Sequence, residues 1–176
     1  MVTPDPLSQE QWRRWLVEHA PKLLLFARQK AVSDADAQDL VQEALLECWQ
    51  RNNAGTQRAS SPSPPPLPLL FPTIRRRAID LTRREERRVN REQSVAADET
   101  RTWFDVRSEE LEFARIIQGA LAGLPAEQRE VITLKVWGDL TFSEIGEALE
   151  IPANTAASRY RYGLAELRRL TKQVLA

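Results

Sequence analysis

The chain has 176 residues, 42% of them hydrophobic, and a formal net charge of zero at pH 7, with 25 basic side chains against 25 acidic ones. That length leaves room for one or two small domains and argues against a single large enzyme domain. One cysteine, Cys48, and one histidine, His19, build neither a zinc site nor a disulfide framework and speak against a thiol–histidine centre, so no catalytic residue, metal or cofactor is expected.

Met1 to Glu10 is short, polar and proline-containing, unlike a secretory signal. No apolar run approaches membrane-spanning length, which predicts a cytoplasmic protein with no direct membrane insertion. Ser8 with Gln11 has the spacing of a capping box, and Trp12, Trp15, Leu16, Leu23, Leu24 and Ala27 form an apolar stripe. Pro21 should kink or divide this helix. Ser33 can cap the next one, where Leu40, Ala44 and Cys48 with Val41, Leu45 and Trp49 recur at helical spacing to about Arg51. Cys48 reads as a small apolar residue there. The helix also carries Asp34, Asp36, Asp39, Glu43 and Glu47, an acidic side.

Residues 52–68 are rich in proline, serine and asparagine and read as a mobile loop, with a proline-rich docking peptide as the lesser alternative. A third helix is expected from Leu69 to Thr73 onward, with Pro72 in its first turn and Phe71, Ile74, Ala78 and Leu81 as a narrow apolar stripe. From Arg75 to Arg91, eight arginines face Asp80, Glu85 and Glu86, a local charge of about +5. A helix so positive suits phosphates, whose neutralisation releases counterions. Residues 92–107 read as a linker, in which Trp103 and Phe104 could pack on a domain or partner. Helices resume at Ser108, with Leu111, Ile117 and Leu121 as core positions, and a helix opened by Leu124-Pro125 ends at Gly138.

Thr141 with Glu144 forms a capping box, and Leu140 with Ile145 a hydrophobic staple, for a short helix from Phe142 to about Glu150. Ile151 and Pro152 stop it, and Asn154 is the expected N-cap of the last helix. Along that helix Ala156, Tyr160, Leu164, Leu167, Leu170 and Val174 share one face. Asn154, Thr155, Ser158, Arg161 and Tyr162 share the other, with Arg159, Arg168, Arg169 and Lys172 on the flanks. Two capped helices joined by a tight turn have the form of a helix-turn-helix reader of duplex DNA. An ordinary amphipathic core helix with a solvated basic side is the plain alternative. The expected fold is all-α, with two small helical domains spanning residues 7–91 and 108–176.

Several segments together resemble the extracytoplasmic-function group of bacterial RNA polymerase sigma factors. Asp-Ala-Gln-Asp-Leu-Val-Gln-Glu-Ala at 36–44 is similar to the polymerase-binding helix of sigma domain two, and Arg-Arg-Ala-Ile-Asp-Leu at 76–81 to that domain's promoter-melting helix. Leu-Pro-Ala-Glu-Gln-Arg-Glu-Val at 124–131 resembles the opening of sigma domain four, and residues 142–149 with 151–159 its helix-turn-helix. The order and spacing of these segments carry the resemblance.

The resemblance implies a non-catalytic subunit whose partners are core RNA polymerase and promoter DNA, both duplex and melted single strand, and it admits an anti-sigma factor. Asp39, Leu40, Gln42 and Glu43 would dock on polymerase. Arg75, Arg76, Arg77, Asp80, Arg83, Arg84, Arg87 and Arg88 would lie at the minus-ten element. Thr155, Ser158, Arg161 and Tyr162 would enter the major groove at the minus-thirty-five element, with Pro152, Asn154 and Arg159 beside them. Two positions depart from the family pattern: Arg76 stands where asparagine is common, and Ala157 where lysine or arginine is usual. The alternative function is a free-standing helix-turn-helix regulator that needs no polymerase. It would be expected to dimerise on a palindrome, and no extended heptad is present to support that. A nuclease would need a metal-binding carboxylate cluster or a histidine-based general acid, which the sequence does not offer.

Overall fold

The computed structural model describes residues 6–53, 63–89, 103–104 and 111–175. Among these the protein consists of seven α-helices and no strand, in two compact units, Met1–Glu99 and Thr100–Ala176.

The first unit holds α1 (Pro6–Arg28), α2 (Asp34–Asn53) and α3 (Leu67–Val89). Their apolar stripes meet in a core of Leu23, Phe26, Ala27, Leu40, Val41, Ala44, Cys48, Leu70, Phe71, Ile74 and Ala78. Phe26 and Phe71 pack edge to face at its centre, with ring centroids 5.3 Å apart. Cys48 is buried, its sulfur 3.4 Å from the Thr73 hydroxyl.

Three local expectations shift here. Helix α1 begins at Pro6, whose fixed φ suits a first helical position, so Ser8 lies inside the first turn rather than capping it. The helix also runs undivided through Pro21. Val17, four residues earlier, and Pro21 are both exposed, so the carbonyl that loses its donor is open to water. Helix α3 starts at Leu67, ahead of the expected boundary, which puts Pro72 in its second turn. Ser33 caps α2 as expected: its hydroxyl accepts from the Asp36 N–H at 3.1 Å, and the Asp36 carboxylate accepts from the Ser33 N–H at 3.0 Å. Arg28, a buried arginine, donates to Asp34 at 2.7 Å and ties the end of α1 to the start of α2.

The second unit holds α4 (Leu111–Ala122), α5 (Ala126–Val136), α6 (Phe142–Leu149) and α7 (Ala153–Leu175). Leu121, Leu124 and Ile132 form a core cluster on which Ile117, Trp137, Tyr160, Leu167 and Leu170 pack. Trp103 and Phe104, from the stretch read as a linker, pack on the same cluster. Helix α7 lies close to α5 because residue 163 is glycine: a Cβ there would stand 2.9 Å from Ile132 Cδ1.

The α6–turn–α7 segment is fixed by local chemistry. The Thr141–Glu144 capping box is present, with Thr141 N–H donating to the Glu144 carboxylate at 2.8 Å. Leu140 and Ile145 are both buried, as a staple requires. Glu150 ends α6 in the left-handed region, with φ 57°, and Ile151 N–H returns to the Gly146 carbonyl at 2.9 Å. Asn154 is not the N-cap of α7. The carbonyl of Pro152 accepts from Thr155 and Ala156, so the helix opens at Ala153 and Asn154 sits inside its first turn.

Gly146 of α6 lies tight against the turn that leads to α7, since a Cβ would lie 2.7 Å from the Ile151 carbonyl oxygen. That neighbour is backbone and cannot turn aside. Gly146→Ala is expected to cost about 1–3 kcal/mol, the usual price of overpacking. Urea unfolding of the chain checks this, and an unchanged midpoint would contradict it.

Candidate nucleic-acid and polymerase interfaces

On α2, Asp39, Gln42 and Glu43 are exposed at spacings of three and one, so they share a face. Leu40 is 4% exposed and belongs to the core. It cannot offer a free docking surface and instead sets the rotation of α2 that turns its neighbours outward. Leu46, three residues beyond Glu43, is 58% exposed and extends the same face with an apolar group. The sequence reading missed it, although a leucine in register with a polar stripe was the available signal.

The basic side of α3 divides into two groups. Arg77 donates through Nε to Glu47 Oε2 at 2.9 Å, with Nη2 at ion-pair distance, 2.8 Å, from the same oxygen, and donates through Nη1 to Glu43. Arg76 donates to Glu47 Oε1, the oxygen that also takes Arg51. Burial raises the pKa of Glu47, but the hydrogen bonds from Arg76 and Arg77 outweigh it and hold the carboxyl below its ordinary value. Arg76 and Arg77 therefore bind α3 to α2, a use of these side chains that charge counting along the sequence does not reveal. Arg75 is half-buried, while Asp80, Arg83 and Arg84 are exposed. Arg87 and Arg88 lie on the last turns of α3, and their side chains fall outside the described residues.

In the second unit, Ala156 and Gly163 face inward. Asn154, Arg161 and Tyr162 are exposed on α7, Thr155, Ser158 and Arg159 are half-buried, and Pro152 is exposed just before the helix. The Arg161 guanidinium lies over the Tyr162 ring at 5.1 Å, which presents a flat cationic and aromatic pair to solvent. Arg159 stands 3.9 Å from Glu127, a loose ion pair. Arg169 is tied to Glu166 at 2.9 and 2.6 Å, leaving Arg168 and Lys172 as the exposed flanking cations.

The structure also gives Trp103 a fixed seat. Its backbone N–H donates to the Gln118 side-chain oxygen at 2.7 Å, and the Arg129 guanidinium lies 5.6 Å from its ring centroid. Burial lowers the Arg129 pKa against the opposing pull of Glu130. Two adjacent aromatics in a polar stretch were the visible signal, but their partners are set by the tertiary fold. Among the described residues no group of histidine, cysteine or acidic side chains could hold a metal, and no helix is long and apolar enough to cross a membrane.

Residues 15–88 match the family model of sigma-70 region 2, and residues 114–167 match that of sigma-70 region 4. The extracytoplasmic-function RNA polymerase sigma factor SigL of Mycobacterium tuberculosis is 33% identical over 163 residues, covering 90% of this chain and 86% of the relative. The corresponding factor RpoE of Cereibacter sphaeroides is 29% identical over 155 residues, covering 87% and 82%. In fold, the chain is similar to the Bartonella quintana sigma factor RpoE, solved in complex with the anti-sigma factor NepR. The TM-score is 0.63 with 21% identity, covering 92% of this chain and 96% of that one. CnrH, solved in complex with the cytosolic domain of CnrY, gives a TM-score of 0.61 with 22% identity, covering 94% and 90%.

Proposed function

This chain belongs to the extracytoplasmic-function group of RNA polymerase sigma factors, and from that premise we propose how its surfaces divide the work of promoter selection. It directs core RNA polymerase to promoters and binds promoter DNA. Residues 7–91 carry polymerase docking and the minus-ten element, residues 108–176 carry the minus-thirty-five element, and residues 92–107 join them. Asp39, Gln42 and Glu43 touch polymerase, with Leu40 supporting them from the core. Arg75, Arg83, Arg84, Arg87 and Arg88 hold phosphates of the separating strands, beside Asp80. Thr155, Ser158, Arg161 and Tyr162 read base edges in the major groove, while Pro152, Asn154 and Arg159 lie near the backbone.

The observation that carries this reading is the segregation of charge in a chain of zero net charge. An acidic face on α2 suits a basic protein, and the exposed cations of α3 and α7 suit nucleic acid. The chain carries no chemistry of its own and acts in the cytoplasm. An anti-sigma factor is its further partner, as for the Bartonella quintana sigma factor RpoE.

With Ala157 where a basic reader is usual, the second unit is expected to bind duplex weakly alone and to gain affinity when polymerase tethers both units to one promoter. The test compares a Thr100–Ala176 fragment, which retains Trp103 and Phe104, with the full chain on core polymerase. At least a hundredfold tighter promoter binding is expected for the latter, within the usual gain from linking two sites. Equal affinity would favour a free-standing regulator.

A further inference from the structure

One feature of the first unit exceeds what holding α2 to α3 requires. Arg77 alone occupies Glu47 Oε2 and also reaches Glu43, and it is the less exposed arginine of the cluster. Two further arginines, Arg51 from the end of α2 and Arg76 from α3, converge on the other oxygen. Their side chains are 59% and 53% exposed, over a Glu47 side chain that is 18% exposed. Neither makes another hydrogen bond or ion pair among the described residues, although each guanidinium has five N–H donors. Exposed ion pairs add little stability, and a third cation on one carboxylate adds less. Three guanidiniums against two carboxylates also leave the cluster positive.

We propose that Arg51 and Arg76 form a cradle for a backbone phosphate of promoter DNA, with Glu47 beneath them as the carboxylate that holds the two guanidiniums side by side. The site rests on the reading of α3 as a DNA-facing helix and adds to it a residue of α2. The geometry suits a phosphate because planar guanidiniums present parallel N–H pairs to its oxygens. The ligand is noncovalent: the phosphate meets the outward N–H groups while Glu47 keeps the inward ones. Arg51 is the discriminating residue, because it lies outside the arginine run of α3 and at the end of a helix whose exposed face is acidic.

The test uses holoenzyme assembled from the full chain and bacterial core polymerase, with a fluorescent promoter fragment. Arg51→Gln is expected to weaken promoter binding about tenfold at fixed salt, the scale of a charged hydrogen bond, with affinity for core unchanged. Arg51→Lys should recover part of this, since it restores charge but not the planar fork. In the doubly substituted R51Q/R76Q protein, the slope of log affinity against log salt should flatten by about 0.7–0.9, one phosphate's worth. Unchanged promoter affinity in Arg51→Gln would overturn the proposal. So would a parallel loss of core binding or of thermal stability, which would make Arg51 structural. If the unsubstituted protein on core fails to bind the promoter, the sigma reading itself fails.

Discussion

Asp39→Arg is expected to lower affinity for core polymerase at least a hundredfold while leaving the fold intact. Asp39 is exposed on α2 and makes no side-chain hydrogen bond or ion pair among the described residues, so none is lost. A positive charge on the proposed docking face, whose acidic side chains suit a basic partner, sets like charges together, which costs several kcal/mol at an interface. The same experiment on Glu43 would be ambiguous. Glu43 accepts from Arg77, and an arginine there would also disturb the α2–α3 junction. Titration of labelled core polymerase with each protein, alongside thermal melts, separates the two effects. Unchanged core affinity in Asp39→Arg would remove α2 from the docking surface.

Arg161→Ala is the second large effect expected. Arg161 projects from the side of α7 opposite Ala156 and Gly163, so truncation leaves the packing against α5 untouched. A side chain that reads a base edge through two hydrogen bonds contributes about 1–3 kcal/mol of discrimination. Holoenzyme carrying the substitution should therefore lose about 5- to 150-fold of its preference for its own minus-thirty-five element over a scrambled one. A uniform loss on both sequences, with a shallower salt dependence, would assign Arg161 to the phosphate backbone. Tyr162, beneath the guanidinium, should matter less, because its ring orients Arg161 more than it replaces it.

What could be read from the sequence was mostly local. The Thr141–Glu144 box and the Ser33 cap depend on residues within one or two turns and appear as expected, and Leu140 and Ile145 are both buried. The apolar registers of α2, α3 and α7 were legible for the same reason, and they oriented the acidic and basic faces. Boundaries beside proline were harder. Pro6, Pro66 and Pro152 each stand at a helix start that differs from the expected one, since a fixed φ and a free carbonyl can open a helix without a capping side chain.

The pairing of Glu47 with Arg76 and Arg77 was out of reach. It joins residues about thirty positions apart, and nothing in the periodicity of either helix names the other as its partner. Leu40 illustrates the same limit from the other side. It lies within a segment that resembles a docking motif, yet burial assigns it to the core. Gly163 and the seat of Trp103 likewise become visible only when α5 and α7 are seen together.

Promoter-dependent transcription by bacterial core polymerase, with and without this chain, tests the central claim most directly. Core polymerase supplied with genomic DNA fragments from the native cell should produce discrete run-off transcripts only when the chain is added. Each should start downstream of two shared elements spaced as a minus-thirty-five and a minus-ten sequence. Stable duplex binding by the chain alone, with no transcript in the presence of core, would contradict the account.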